Sequence, residues 1–209
     1  FTPEEKSAAV AAETQAMLFD IAQAETPAEQ AKATEEARKV IQDVLDALDD
    51  EAAALATELW KLANIDPDLE HAVNVATYAV IFGMAFGRAD QSLLADLALS
   101  GLVHDIGISQ LDGQVAQVPW KSQTKEQIAS YQQHVRFTLE LIEEHVPSLS
   151  GRIKHIIGQH HEKFDGSGYP SGLKGFKVDD IPQLLTIADM LDSMNTGAWD
   201  GKRRTLRES

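Results

Sequence analysis

The run Gln91-Ser92-Leu93-Leu94-Ala95-Asp96-Leu97-Ala98-Leu99-Ser100-Gly101-Leu102-Val103-His104-Asp105-Ile106-Gly107 decides how this chain folds. Up to Val103 it is almost wholly apolar, shows no alternation of period two, and reads as a helix. It closes on a polar pair, His104-Asp105. Adjacent helical side chains point about 100° apart. The pair therefore suits two neighbouring cations better than chelation of one, with the aspartate able to bridge and the histidine serving one side. A bare His-Asp pair is weak evidence; its weight depends on what surrounds it.

Outward from this run, helix signals dominate in both directions. Upstream, Asp66-Pro67-Asp68 ends one helix and caps the next, which carries His71, Val75, Tyr78, Ala79, Phe82 and Phe86. Further back, Thr2-Pro3-Glu4-Glu5 and Thr26-Pro27-Ala28-Glu29 are two capped helix starts. They predict a helical hairpin whose second arm places Val40, Ile41, Val44, Leu45, Leu48, Leu55, Leu59 and Leu62 at helical spacing. Packing on the second domain, linking and self-association into a homodimer all remain open for it. Downstream come a loop over Ser109–Ser122, a helix over Thr124–Val146 with His134, and another over Ser150–His161. A glycine-rich loop and a helix from Ile181 to Met194 follow, the latter bearing Asp189 and Asp192; the basic tail Lys202–Arg207 reads as frayed. The expectation is an all-α protein in two parts: an acidic, alanine-rich helical region at 1–64 and a helical bundle at 65–209.

Composition narrows the function. At 209 residues, 44% hydrophobic and 24% charged, the chain can bury a core. It begins with Phe1, reads as a piece of a longer or processed protein, and has no run approaching the length needed to span a bilayer. Cysteine is absent, so histidine and carboxylate are the available metal ligands; a cytoplasmic location is compatible with this. A net charge of −15 argues against binding DNA or other nucleic acid, though bound cations can reverse the local field around a small phosphate ligand.

Five histidines, His71, His104, His134, His160 and His161, fall in or beside helices with apolar faces. One imidazole on such a face is more often a satisfied core residue than a ligand. Five on four helices, in the company of Asp105 and Asp189, reverse that reading, because isolated buried imidazoles and carboxylates are costly and a shared metal satisfies them together. His145 and His155 lack such company and read as ordinary surface or packing residues.

The second motif is longer: His160-His161-Glu162-Lys163-Phe164-Asp165-Gly166-Ser167-Gly168-Tyr169-Pro170. Gly166 and Gly168 permit backbone conformations and close approaches that side chains would block. Tyr169 offers a hydroxyl to a phosphate and a ring face to a base. Seen alone, the glycine run is a turn; beside His-His-Glu it reads as a substrate loop formed by Gly166, Gly168 and Tyr169.

Together with His104-Asp105, this motif resembles the HD-GYP family of metal-dependent phosphohydrolases, over about Asp66 to Asn195. The resemblance implies an HD-type helical core, a centre of two or three metals, and hydrolysis of cyclic di-GMP to pGpG or GMP. It also implies contact with diguanylate cyclase domains. Position by position, it implies His71, His104 and Asp189 on a first metal, Asp105 as the bridge, and His134, His160 and His161 on a second. Asp105 and Tyr169 are the residues it would place in catalysis. Asp192 is the less clear acid, either a ligand or an acceptor for a neighbouring N–H. Two such metals activate water and stabilise charge on the attacked phosphate. Histidine-rich ligation favours iron or manganese, with zinc compatible, over magnesium.

Three positions depart from the family pattern. Ile108 stands where His-Asp-Ile-Gly is usually followed by lysine, and Pro67 where three-metal members carry a glutamate. The segment after Asp192 lacks the usual arginine-proline-tyrosine-like motif. Two metals are therefore expected rather than three. The missing lysine opens an alternative, a receptor that binds nucleotide with little turnover. A nucleotide-monoester hydrolase of the wider HD type fits the Gly-Tyr-Pro loop less well.

Overall fold

The computed structural model of the chain describes residues 70–88, 90–116 and 118–204. The expected N-terminal hairpin, and any dimer contact through it, lies outside the described residues, as does Pro67. The described residues are helical and contain no strand. In order they form α1 (Glu70–Ala85), α2 (Gln91–Val103), a 3₁₀ turn (Ile106–Gln110), α3 (Gly113–Ala116) and a second turn (Trp120–Ser122). There follow α4 (Lys125–Tyr131), α5 (His134–His145), α6 (Gly151–Gln159), a third turn (Gly175–Lys177) and α7 (Asp180–Thr196).

Helix α2 is apolar because it is the centre of the bundle: Leu94 and Leu97 through Val103 are all buried. Asp90 starts it by accepting the Leu93 N–H (3.1 Å). By length and composition alone Gln91–Gln110 could cross a membrane, yet most of it is buried inside the bundle. Helix α1 packs on α2 and α7, and α6 sits against α2, α5 and α7. Val75, Ala79, Leu97, Leu99, Ile156, Ile157 and Leu185 fill the space between. The α1–α2 approach depends on Gly101, where a Cβ would lie 2.5 Å from Ala76 Cα. That closeness brings the His71 and His104 rings to 5.4 Å.

Three expectations need correction. The helix expected over Thr124–Val146 is two helices. It opens with the capping box Thr124–Gln127 but breaks at Gln132–Gln133, where the Tyr131 carbonyl accepts from His134 Nδ1 (2.7 Å). The loop over Ser109–Ser122 contains short helical turns. The tail is not frayed through residue 204. Trp120 and Lys121 donate their N–H groups to the carbonyls of Ala198 (3.1 Å) and Trp199 (3.0 Å), and Arg204 pairs with Asp200 (2.6 Å).

Candidate metal centre

Five helices deliver their ends or faces to one point. His71 comes from the first turn of α1, His104 and Asp105 from the end of α2, His134 from the start of α5, His160 and His161 from the end of α6, and Asp189 from the middle of α7. Their donor atoms form two groups, each spanning no more than 4.8 Å: Asp105, His134, His160 and His161 in one, His71, His104 and Asp189 in the other. Asp105 stands between them. Its Oδ1 lies 3.3 Å from His134 Nε2, and its Oδ2 lies 3.4 Å from His104 Nε2 and 4.0 Å from His71 Nε2. Asp189 Oδ1 approaches His71 Nε2 at 3.5 Å.

The far side of each ring determines what the near side can do. Nδ1 of His104, His134 and His160 donates to the carbonyls of Gly101 (2.8 Å), Tyr131 (2.7 Å) and Ile157 (2.6 Å), each three residues back. Neutral imidazole with its proton on Nδ1 presents a lone pair on Nε2. Among the described residues, those three Nε2 atoms and Asp105 Oδ1 are buried without a hydrogen-bond partner. Several unpartnered buried acceptors facing one another would be expensive, and divalent cations satisfy them at once. Nitrogen and carboxylate donors together suit iron, manganese or zinc. The residues present therefore fit a metal site. His71 is held differently: its Nδ1 donates to Asp192 Oδ2 (2.6 Å), which also receives Asn74 Nδ2 on Oδ1 (2.9 Å). Asp192, left open between two roles in the sequence, accepts this N–H.

Charge follows from these contacts. Burial alone would lower the pKa of His71, but the hydrogen bond to Asp192 and the charges of Asp189, Asp192 and Asp105 outweigh it and raise it from 6.5 to about 9. Burial, then repulsion from His104 and His134, takes His160 down to about 3. Burial and its neighbour His160 also hold His161 well below its usual value. Burial would raise Asp105, but His104, His134, His71 and His160 more than offset that and keep it ionised below the usual carboxylate range. Burial raises Asp189 despite the opposing His71.

Backbone pins keep the cluster in register. Thr138 accepts the Gly107 N–H (3.0 Å) and donates to the His104 carbonyl (2.9 Å), clamping the His-Asp turn to α5. A Cβ at Gly107 would lie 2.3 Å from the His134 carbonyl oxygen, so this glycine is required by close approach. Thr186 on α7 donates to the His160 carbonyl. Within the second motif, Gly166 has φ +82°, and a Cβ on Gly168 would lie 2.3 Å from the Lys163 nitrogen. The loop's own folding thus accounts for both glycines, and neither is in the wall of the adjoining cleft. Tyr169 is in that wall, with its ring stacked on His161 at 4.6 Å. His155 pairs with Asp179 (3.1 Å) at the surface and His145 is exposed. Ile108 lies partly buried in the turn after Asp105.

The cleft opening on this centre includes His161 and Asp189 and is otherwise largely aromatic and apolar, with Trp120, Tyr131 and Trp199. Sequence reading missed these three. Their only signal was the pairing of two tryptophans with the ends of a loop and a helix, which carries nothing until the chain is folded.

The profile of the HD domain matches residues 86–209, more than half of the chain. The chain is similar to 3'3'-cGAMP-specific phosphodiesterase 2 of Vibrio cholerae, 33% identical over 131 residues, covering 59% of this chain and 23% of that protein. It is also similar to a cyclic di-GMP phosphodiesterase of the same organism, 28% identical and covering 60% of this chain and 26% of the relative. The chain thus spans about a quarter of the length of these curated relatives. Its fold resembles the solved structure of Bd1817, an HDG"Y"P protein from Bdellovibrio bacteriovorus, with TM-score 0.53, 20% identity, and coverage of 95% of this chain and 67% of that one. The chain belongs to the HD-domain family.

Proposed function

We propose that this chain is the catalytic part of a metal-dependent phosphodiesterase that hydrolyses a cyclic dinucleotide at a dinuclear centre, cyclic di-GMP to pGpG or GMP being the leading reaction. One observation carries the reading: Asp105 faces two separate sets of histidines, and buried Nε2 atoms without a partner occur in both, His104 in one and His134 and His160 in the other. On this reading His71, His104 and Asp189 would hold one metal and His134, His160 and His161 the other, with Asp105 placed to serve both. Such a pair of cations supplies a nucleophile at neutral pH and neutralises charge on the attacked phosphate.

The chain's own groups do the rest. Burial, with Asp105 and Asp189 nearby, raises the Tyr169 hydroxyl, so it stays protonated and can donate to a phosphate oxygen at the cleft. Its ring, stacked on His161, fixes where that donor points. The nitrogen-rich ligand set favours iron or manganese, with zinc compatible. A purine cyclic dinucleotide fits the two kinds of relative, one named for 3'3'-cGAMP and the other for cyclic di-GMP.

A second reading rests on Ile108. With an apolar residue where a lysine was expected, the domain would bind nucleotide as a receptor and turn it over slowly. Both are tested by elemental analysis of freshly purified protein, with hydrolysis of cyclic di-GMP and 3'3'-cGAMP under reducing conditions in added iron or manganese. About two metals per chain with linear product supports the enzyme. Bound metal and nucleotide with no product favours the receptor, and a protein that never takes up metal overturns both.

A further inference from the structure

One wall of the cleft is built from residues that hold no metal. Trp120, Tyr131 and Trp199 stand beside His161 and Asp189, and both tryptophans remain partly exposed. They come from segments far apart in sequence, yet they are locked together. The Trp120 and Lys121 N–H groups reach the Ala198 and Trp199 carbonyls, while the Trp199 N–H bonds the Ser193 carbonyl (3.0 Å). Below Trp120, the Gln123 side-chain amide donates to the carbonyls of Val115 (3.3 Å) and Val118 (3.0 Å). Tyr131 meets Trp120 edge-on at 5.6 Å and His134 at 4.9 Å, so the aromatic wall runs without interruption into the imidazole cluster. Flat rings at one end of a cleft and phosphate-directed chemistry at the other match the two ends of a nucleotide.

We propose that Trp120 and Trp199 form a base-stacking subsite that holds the base next to the phosphate under attack. The inference deepens the phosphodiesterase reading and takes the position of the phosphate from it. Every base presents a π-face, so stacking holds a base without reading its edge and leaves guanine and adenine little separated. A substrate with one guanine and one adenine would then be seated much as one with two guanines.

The test needs no turnover. GMP and ribose 5-phosphate carry the same phosphate and differ by the base. Their dissociation constants would be measured by calorimetry on the full chain loaded with Mn²⁺. The wild type should prefer GMP by about tenfold or more, the scale of one base–aromatic stack. Trp199→Leu and Trp120→Leu should each erase most of that preference and leave ribose 5-phosphate binding as the sign of an intact centre. Trp199→Phe should retain part of it. Equal binding of the two ligands by the wild type, or a preference that survives both leucine variants, overturns the subsite. A protein that shows the preference yet never hydrolyses a cyclic dinucleotide keeps the subsite and loses the enzyme. Turnover without the preference does the reverse.

Discussion

Asp105 and Glu162 each follow a histidine in the sequence and each carry a carboxylate into the same bundle, but their surroundings differ. Glu162 is fully buried, and its oxygens are saturated by backbone: Oε1 accepts from Ser171 (2.6 Å) and Gly172 (3.1 Å), Oε2 from Leu173 (2.8 Å). Asp105 is surrounded by imidazole nitrogens, and its Oδ1 has no hydrogen-bond partner among the described residues. A carboxylate saturated by amides builds structure, here the loop after Gly-Tyr-Pro. One facing unprotonated nitrogens is set to share a cation.

The comparison breaks most sharply at Asp105. Asp105→Ala takes a donor from between both groups and should strip nearly all bound metal. Phosphodiester hydrolysis should then fall by about 10²–10³ or more, the scale of losing one strong electrostatic donor. Retention of two metals by this variant would end the bridging role. Next in size is Glu162→Ala, which leaves three backbone N–H groups without an acceptor. Hydrogen bonds to a charged group contribute about 1.5–3 kcal/mol each, so urea unfolding should show a loss of several kcal/mol. Glu162→Gln should cost less. Wild-type stability with lost metal would instead move Glu162 into the metal centre.

The smallest effect sharpens the comparison through the acid behind His71. Asp192→Asn should weaken metal binding by about 10–100-fold, as expected when a ligand loses its orienting partner. It should also change pH dependence. His71 is raised to about 9 in the folded, metal-free protein, so its contribution to stability is full below 6.5 and disappears as pH rises through 9. Chelator-treated protein should therefore lose stability toward alkaline pH, and that limb should shrink in Asp192→Asn. His160, lowered to about 3, acts oppositely: it costs stability as pH falls below 6.5, and that acid limb should survive the substitution. Unfolding curves from pH 4 to 10 on both proteins check each limb; an unchanged alkaline limb would detach Asp192 from the titration of His71.

Legibility varied with the range of the interactions. The bounds of α2 were readable because an apolar run stops at a polar pair, a local signal. The break at Gln132–Gln133 was not, because the Tyr131 carbonyl goes to a side chain. Nor was the ordered tail: its hydrogen bonds run from Ala198 and Trp199 to Trp120 and Lys121, and nothing near either segment announces them. The residues of the candidate metal centre were legible as residue types in a specific motif. The aromatic cleft wall was not, since a tryptophan on a loop has no periodic or motif partner to betray it.

By itself the sequence determined the helical class, the HD-type metal-ligand pattern and the kinds of donor atom available, because apolar periodicity and ligand chemistry are properties of residues and their spacing. Only the tertiary structure decided that Asp105 lies between two donor groups and that Asp192 orients His71. It alone separated the roles of Asp105 and Glu162. What a histidine or carboxylate can do depends on which of its atoms are already hydrogen-bonded, and helices far apart in sequence supply those partners.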